Sequence, residues 1–411
     1  MRQYHCFEVY GIELEYMVVS RDTLQATPVV DRIFMHLNNR PEGEFVNGKI
    51  SWSNELVAHV IELKTTKPVA LPSEVLPEFR KNVEKINSIL SENHCCLLPT
   101  ACHPFMDPLT ETRIWPHDAH EIYELYNRIF DCRGHGWSNV QSTHLNLPFQ
   151  DDDEFDRLHT AIRLILPIIP ALCASSPILE GKQSGWMDSR MFHYQYNQQT
   201  IPVIGGKVIP EYIRNQEEYR SRIFTPINTA LKPYDTDHIL EDHFVNSRGA
   251  IARFDRGSIE IRVMDIQECP EADVAILELV IEVLKSLVFE EWSDYPCQAS
   301  WQEDDLYAIF QKAIHRAEMG QIDLTNFGKV FGIGDDSNVS LKDLWTRLYD
   351  KVKFRLGERS QIAIELILEQ GSLATRIIKN LNGSCTYDQI HATYQKLADC
   401  LESGKMFVPG N

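Results

Sequence analysis

The sequence lacks long unbroken apolar runs and paired cysteines. Its most apolar stretch, AIRLILPIIPALCASSPIL (161–179), contains Arg163 and three prolines, so it is too interrupted to cross a membrane. The ten cysteines include no CxxC pair and follow no regular spacing, which predicts reduced thiols in a cytoplasmic protein. The N-terminus does not have the basic, apolar and small-residue sections of a signal peptide.

Basic residues are also in deficit. The 411 residues include 40 Lys and Arg against 59 Asp and Glu, a formal net charge of -19. Such a surface repels nucleic acid and anionic membranes, so neither is expected as a partner. Anionic substrates would therefore need local cations, either arginines or metal ions. The content of 43% hydrophobic residues, without low-complexity tracts or repeats, is that of an ordinary globular protein.

Strand-like alternation dominates the first two-thirds of the chain, and helical spacing dominates the last third. The predicted strands and hairpins occupy 4–20, 43–53, 55–66, 138–149 and 250–266. The predicted helices occupy the second half of 71–94, then 116–131, 154–173, 270–292, 304–318, 341–354 and 359–381. Asn47-Gly48 predicts a type I′ turn in the first hairpin. This order indicates an α+β fold with an antiparallel sheet.

The first predicted strand carries two like charges on one face. Because strand side chains alternate, Glu13 and Glu15 point the same way, about 7 Å apart. The opposite face contains Ile12 and Leu14. Taken alone, this pattern is typical of a half-buried strand whose glutamates face solvent.

Two further strands repeat the design. Ser258, Glu260 and Arg262 alternate with isoleucine and valine, and His144 and Asn146 alternate with leucine. Each polar face by itself fits a surface ion pair or a structural histidine. A neutral imidazole is nonetheless a common metal ligand.

Glu55 and Glu62 lie in the predicted strand 55–66. Their separation of seven gives them opposite parity, so a regular strand cannot aim both at one point. Either a bulge intervenes or only one of them belongs to a site. Together, five carboxylates and one histidine on separate strands predict an oxygen-rich site for a hard cation such as Mg²⁺ or Mn²⁺.

Six motifs occur in the order found in the glutamate–cysteine ligase type 2 family, the carboxylate–amine ligases. They are GIELEY, ELVAHVIELKTT, ACHPF, STHLNL, SSPILEG…SR and GSIEIRVMD. The chain resembles this family from about residue 7 to residue 275, and more weakly through 371–381. The resemblance implies a fold like that of glutamine synthetase, in which a funnel of antiparallel strands carries metal-binding glutamates and is flanked by helices. We expect one catalytic domain over 1–411, with a strand-rich active-site part in 1–290 and a helical part in 291–411 packed on it.

The resemblance also implies roles for individual residues. Those that match metal ligands, or lie beside them in the motif, are Glu13, Glu15, Glu55, Glu62, His144 and Glu260. Those expected to act in catalysis are Arg190, Arg253 and Arg262, and those expected to bind substrate or ATP are Tyr123, Asn146, Arg248 and Ser258. Arg248 and Arg253 both compete for one arginine of the family pattern. The implied metal content is two or three Mg²⁺ or Mn²⁺ ions.

The implied reaction is ATP-dependent amide formation. ATP phosphorylates a carboxylate to an acyl phosphate, an amine attacks the carbonyl, and phosphate leaves. Glutamate and cysteine are the favoured substrates. The alternatives are the same chemistry on another small-molecule carboxylate and amine, and a catalytically silent homologue that binds nucleotide or amino acid. A homo-oligomer is compatible with the sequence.

The chain departs from the family pattern at several places. One is the arginine position for which Arg248 and Arg253 compete, and another is an Arg-Tyr pair in the helix near 122, of which only Tyr123 is kept. Asn146 replaces the second histidine of the family's HVHV strand, and Gly181-Lys182-Gln183-Ser184-Gly185 replaces a GTDTR-like segment. These departures fall mainly where substrate would be recognised. The set of predicted metal ligands is unchanged.

Overall fold

The structure, a computed structural model, describes residues 3–41, 43–240, 244–334 and 338–410. Within these ranges, no helix is both long and apolar enough to cross a lipid bilayer. Helices and an antiparallel sheet form the fold, which confirms the predicted α+β class.

The strands and helices follow one another along the whole chain. The strands are β1 Gly11–Ser20, β2 Glu44–Asn47, β3 Ile50–Asn54, β4 Val60–Thr65, β5 Cys95–Leu98, β6 Ser142–Pro148, β7 Ile178–Leu179, β8 Lys182–Gln183, β9 Ala250–Arg253, β10 Ser258–Asp265, β11 Gln321–Ile322 and β12 Val339–Ser340. The helices are α1 Val30–Asn38, α2 Leu76–Ser91, α3 Pro108–Glu111, α4 His120–Phe130, α5 His135–Ser138, α6 Asp152–Ile165, α7 Pro170–Cys173, α8 Ser189–Tyr194, α9 Gln216–Tyr219, α10 Thr225–Leu231, α11 Pro270–Val288, α12 Tyr295–Ala299, α13 Glu303–Arg316, α14 Leu324–Val330, α15 Leu341–Val352, α16 Glu358–Gln370, α17 Leu373–Leu381 and α18 Tyr387–Ser403.

The main sheet has the strand order β2-β3-β4-β1-β6-β10-β9, and β5 pairs with the C-terminal end of β1. Every pairing in it is antiparallel. The central strand β1 therefore lies between β4 and β6. This arrangement puts the strands that carry the predicted site residues side by side.

The β2–β3 hairpin is present, but its turn differs from the prediction. Asn47 pairs with Ile50, so the loop residues are Gly48 and Lys49 rather than Asn47 and Gly48. Gly48, the first loop residue, has a φ of 72°, whereas Lys49 is not among the residues with positive φ. Glycine at the first central position is typical of a type II′ turn.

The predicted strand 55–66 is wrong in its first half. β3 ends at Asn54, the chain turns back through 55–59, and β4 begins at Val60. Val57 is buried and makes one isolated bridge with Ile114. Its apolar side chain is therefore explained by burial in a turn and not by a place in a strand.

Two predicted helices are interrupted. The 359–381 helix divides into α16 and α17 at Gly371, whose φ of 98° ends the first helix. The 154–173 helix divides into α6 and α7, with a 3₁₀ turn between them. Pro167 and Pro170 lack the backbone N–H that a continuous helix needs.

One face of the sheet packs on the main hydrophobic core. Ile12, Leu14 and Tyr16 of β1, with Ile259 and Ile261 of β10, are fully buried there. Helices α2, α6, α11, α13, α15 and α16 contribute to the same core. The alternation predicted for β1 and β10 is thus confirmed, and their charged residues lie on the opposite face.

That opposite face is itself divided. Met17 and Val19 continue the side of β1 that carries Glu13 and Glu15, but they pack with β5 into a second apolar cluster. Helices α17 and α18 supply further members, including Leu373, Ile377, Ile390, Tyr394 and Leu397. The C-terminal helices therefore cover the apolar half of this face. The division into parts at residue 290 stays a prediction.

Candidate active site

Strand register places the predicted acidic residues next to one another. Glu15 on β1 lies opposite Glu62 on β4, and Glu13 lies opposite His144 on β6. Glu260 on β10 lies opposite Asn146. Directly opposed side chains on one face have Cβ atoms about 5 Å apart. Four separate strands thus converge on one charged patch.

His144 is the centre of this patch. Its Nδ1 lies 2.8 Å from Oε2 of Glu13 and 3.8 Å from Oε1 of Glu260. Its Nε2 lies 3.9 Å from Oε1 of Glu15. Two groups, Glu13–His144–Glu260 and Glu15–Glu62–His144, each have ligand atoms within 4.8 Å of one another.

Glu55 joins the patch from the turn after β3. Burial raises the pKa of its carboxyl well above the usual value, and the charges of Glu15 and Glu62 raise it further. The predicted single strand that carries both residues is wrong, because Glu55 lies in the turn after β3 and Glu62 lies on β4. The chain reverses direction between Glu55 and Glu62. The strand rule that residues seven apart point to opposite faces therefore does not apply to this pair.

The electrostatics of the patch favour a bound cation. Burial raises the pKa of Glu15, against the opposing effect of His144, and Glu62 adds to the rise. Burial lowers the pKa of His144, although the surrounding carboxylates oppose this. A neutral imidazole among carboxylates is a donor set that suits Mg²⁺ or Mn²⁺. Such ions would also relieve the repulsion between the acids.

Glu55→Gln should make the metal-free protein more stable at alkaline pH. A carboxyl whose pKa is raised by folding contributes stability below its unfolded pKa and loses it as pH rises through the folded pKa. The variant should therefore melt above the wild type at about pH 8, with the difference disappearing toward about pH 5. Thermal melts in EDTA across this range measure the effect. Parallel melting curves at every pH would contradict it.

Arg262 and Arg253 border the patch beside Glu260. The Nε of Arg262 lies 3.5 Å from one oxygen of Glu260, and an Nη of Arg253 lies 3.8 Å from the other. Burial would lower the pKa of Arg262, but Tyr194 and the nearby carboxylates raise it. In the described part of the chain, Nε of Arg262 is buried without a hydrogen-bond partner. The guanidinium of Arg262 is thus fully charged, and its Nε–H remains available to donate a hydrogen bond.

Arg190 lies beneath this region rather than in it. Its Nε donates to Asp265 at 2.6 Å, and both Nη atoms donate to the backbone carbonyl of Arg262 at 3.2 Å. The side chains of Arg190 and Asp265 are 3% and 0% exposed. Arg190 therefore holds the strand segment from which Arg262 projects.

Arg248 is engaged elsewhere. Its guanidinium donates twice to Glu211 at 2.6 Å and also contacts the carbonyls of Val203 and Ile204. Of the two arginines that compete for one family position, the structure brings Arg253 to Glu260.

The remaining predicted residues lie around the edge of the patch. Asn146 donates from Nδ2 to Glu13 at 3.1 Å. The hydroxyl of Tyr123 accepts from Asn54 at 3.3 Å; burial raises its pKa, and Glu55 adds to the rise. Ser258 begins β10, where it pairs with Arg253.

Three polar residues of the patch were missed from the sequence. Nζ of Lys64 lies 2.9 Å from Glu62, and Ser53 donates to the same Glu62 oxygen at 2.6 Å. Ser142 donates to Glu15 from both its backbone N–H and its hydroxyl. Lys64 and Ser142 each lie two residues from a predicted ligand, so strand parity was the signal that would have found them.

The chain is similar in sequence to a known protein family and to a relative in another organism. The model of glutamate–cysteine ligase family 2 (GCS2) matches residues 9–390. An uncharacterized protein of Archaeoglobus fulgidus is 32% identical over 402 residues, which cover 97% of this chain and 100% of the relative.

Two solved structures resemble the fold. The glutamate–cysteine ligase of Francisella tularensis in complex with AMP has a TM-score of 0.63 at 15% identity, covering 96% of this chain and 89% of that one. A bifunctional glutathione synthetase from Pasteurella multocida has a TM-score of 0.66 at 12% identity, covering 97% and 53%. At these identities the likeness concerns the fold alone, and it confirms the predicted ligase-type fold.

Proposed function

The chain belongs to glutamate–cysteine ligase family 2, and from this premise we propose that it joins a carboxylate to an amine through an acyl-phosphate intermediate. Membership confirms the family and the class of ATP-dependent ligase predicted from the sequence. The intermediate and the substrate pair are the new elements of the proposal.

One observation carries the proposal. Two clusters of carboxylates on one face of the sheet have His144 in common, and Arg253 and Arg262 border them. The acidic groups are Glu13–His144–Glu260 and Glu15–Glu62–His144. A pure binding site for an amino acid would not need so many carboxylates. Phosphoryl transfer between two anions does need this combination of cation ligands and positive side chains.

The carboxylates and His144 would hold two or three Mg²⁺ or Mn²⁺ ions, which neutralise the phosphates of ATP when bound. Arg262 and Arg253 stand where they can receive the charge of the transferred phosphoryl group. Arg190 keeps the backbone at Arg262 in place. Phosphorylation gives the substrate carboxylate a good leaving group, and attack by the amine then releases phosphate.

Glutamate and cysteine are the favoured pair because the family acts on them. The position of Asn146 beside Glu13, where the family pattern has histidine, keeps a different carboxylate or amine as the second candidate. A silent homologue that binds nucleotide or amino acid is the candidate of another class.

A matrix of carboxylates and amines, assayed for ADP and phosphate release with Mg²⁺, tests the function. We expect one pair, with glutamate and cysteine tested first, to stimulate ADP release that EDTA abolishes. Formation of the amide by mass spectrometry identifies the product. ATP binding by calorimetry without ADP release for any pair would favour the silent homologue.

A further inference from the structure

His144 belongs to both acidic groups, but a neutral imidazole has only one nitrogen with a free lone pair. The same ring therefore cannot ligate two ions at once. One group must use the imidazole, and the other must use oxygen atoms alone. The hydrogen bonds around Ser142 decide between them.

Ser142 contacts both Glu15 and His144. Its hydroxyl lies 2.8 Å from Oε2 of Glu15 and 2.8 Å from Nε2 of His144. The backbone N–H of Ser142 also donates to that same Oε2, at 2.7 Å. Oε2 of Glu15 therefore accepts from two donors of Ser142, the backbone N–H and the hydroxyl.

A serine hydroxyl has one hydrogen, and Glu15 receives it. The hydroxyl oxygen can then only accept from His144, so Nε2 of His144 carries the hydrogen. Nδ1 is left with the lone pair. It faces Oε2 of Glu13 at 2.8 Å and Oε1 of Glu260 at 3.8 Å. The lone pairs of Nδ1 and of the Glu13 oxygen, 2.8 Å apart, repel each other unless a cation lies between them.

We propose that Ser142 is a positioning residue that fixes His144 in the Nε2–H form, so that Nδ1 ligates the ion held by Glu13 and Glu260. The ion held by Glu15 and Glu62 has oxygen ligands only. Ser142 touches neither ion. The proposal rests on the metal centre proposed above and not on the ligase reaction.

The two ions are therefore unequal. The Glu13–Glu260 ion has a nitrogen ligand whose orientation a hydroxyl maintains, which is a common arrangement around metal-bound histidine. Glu62 is in addition held by Lys64 and Ser53. A cation at the second site must share Glu62 with an ammonium group, so we expect it to bind more weakly.

The direct test is ¹⁵N NMR of the full chain labelled at histidine, with His144 assigned by its loss in His144→Gln. In the wild type saturated with Mg²⁺, we expect Nε2 to carry a hydrogen and Nδ1 to shift on addition of the ion. A hydrogen on Nδ1, or on both nitrogens, would overturn the proposal. So would a shift of Nε2 as the ligating nitrogen.

Variants supply an independent measurement. In Ser142→Ala, we expect the dissociation constant of the tighter Mn²⁺ ion, followed by electron paramagnetic resonance, to rise about tenfold. The two imidazole forms should then both be populated. Ser142→Thr keeps the hydroxyl and should restore both properties.

Ser53→Ala is the matched control, because it removes a serine–carboxylate hydrogen bond without touching His144. It should leave the His144 spectrum unchanged. An equal loss of the tighter ion in Ser53→Ala and Ser142→Ala would overturn the proposal. Wild-type spectra decide the issue even if Ser142→Ala does not fold. Absence of ligase activity, by contrast, would leave these measurements unaffected.

Discussion

Glu260→Gln is expected to lower ligase activity by about 10³-fold, the effect of losing several kcal/mol of transition-state charge stabilisation. The substitution keeps the shape of the side chain but removes a charged ligand from the Glu13–His144–Glu260 group. Removing one of several crowded negative charges should leave the metal-free fold as stable as before, or slightly more stable. Turnover with the active substrate pair and thermal melting in EDTA measure the two effects.

Glu92→Gln provides the control for a change of charge alone, because Glu92 is exposed at the end of α2, away from the patch. It should retain wild-type turnover. A large fall in the melting temperature of metal-free Glu260→Gln would indicate that Glu260 has a structural role instead.

Arg190→Met is expected to lower the free energy of unfolding by about 3–5 kcal/mol, because breaking a buried ion pair leaves an uncompensated charge. The pair of Arg190 with Asp265 is almost completely buried. The variant also loses two hydrogen bonds to the carbonyl of Arg262. Denaturant unfolding measures the loss.

Two other arginines give the comparison. Arg262→Met should abolish turnover while the protein stays folded, because this side chain is 30% exposed beside the patch. Arg21→Met breaks an exposed pair with Glu402 and should cost about 1 kcal/mol or less. If Arg190→Met unfolded at the same denaturant concentration as Arg21→Met, the proposed supporting role of Arg190 would be wrong.

Alternation along single strands was predictable because it depends only on local backbone geometry. Glu13 and Glu15 share a face of β1, and Glu260 shares one with Arg262 of β10. The burial of Ile12 and Ile259 on the other face followed from the same rule. The order of the six motifs identified the family, and the family model confirms it.

Errors arose where turns decide the outcome. The reversal at 55–59 looked like a continued strand because it contains the apolar residue Val57, which is buried in the turn, directly before the apolar start of β4 at Val60. The loop of the β2–β3 hairpin lies one residue later than predicted, which changes the type of turn at Gly48. Neither feature leaves a periodic signal, since each depends on which strand the chain pairs with next.

The sequence by itself determined which strands carry Glu13, Glu15, Glu62, His144 and Glu260, and it predicted an acidic site of a metal-binding type. Only the tertiary structure decided that Glu55 joins them from a turn, and that Arg253 rather than Arg248 reaches Glu260. It also decided that Arg190 is buried against Asp265 and that Ser142 and Lys64 complete the patch. Parity along one strand is set by neighbouring peptide bonds, whereas the partner of a side chain is set by register and packing between segments far apart in the chain.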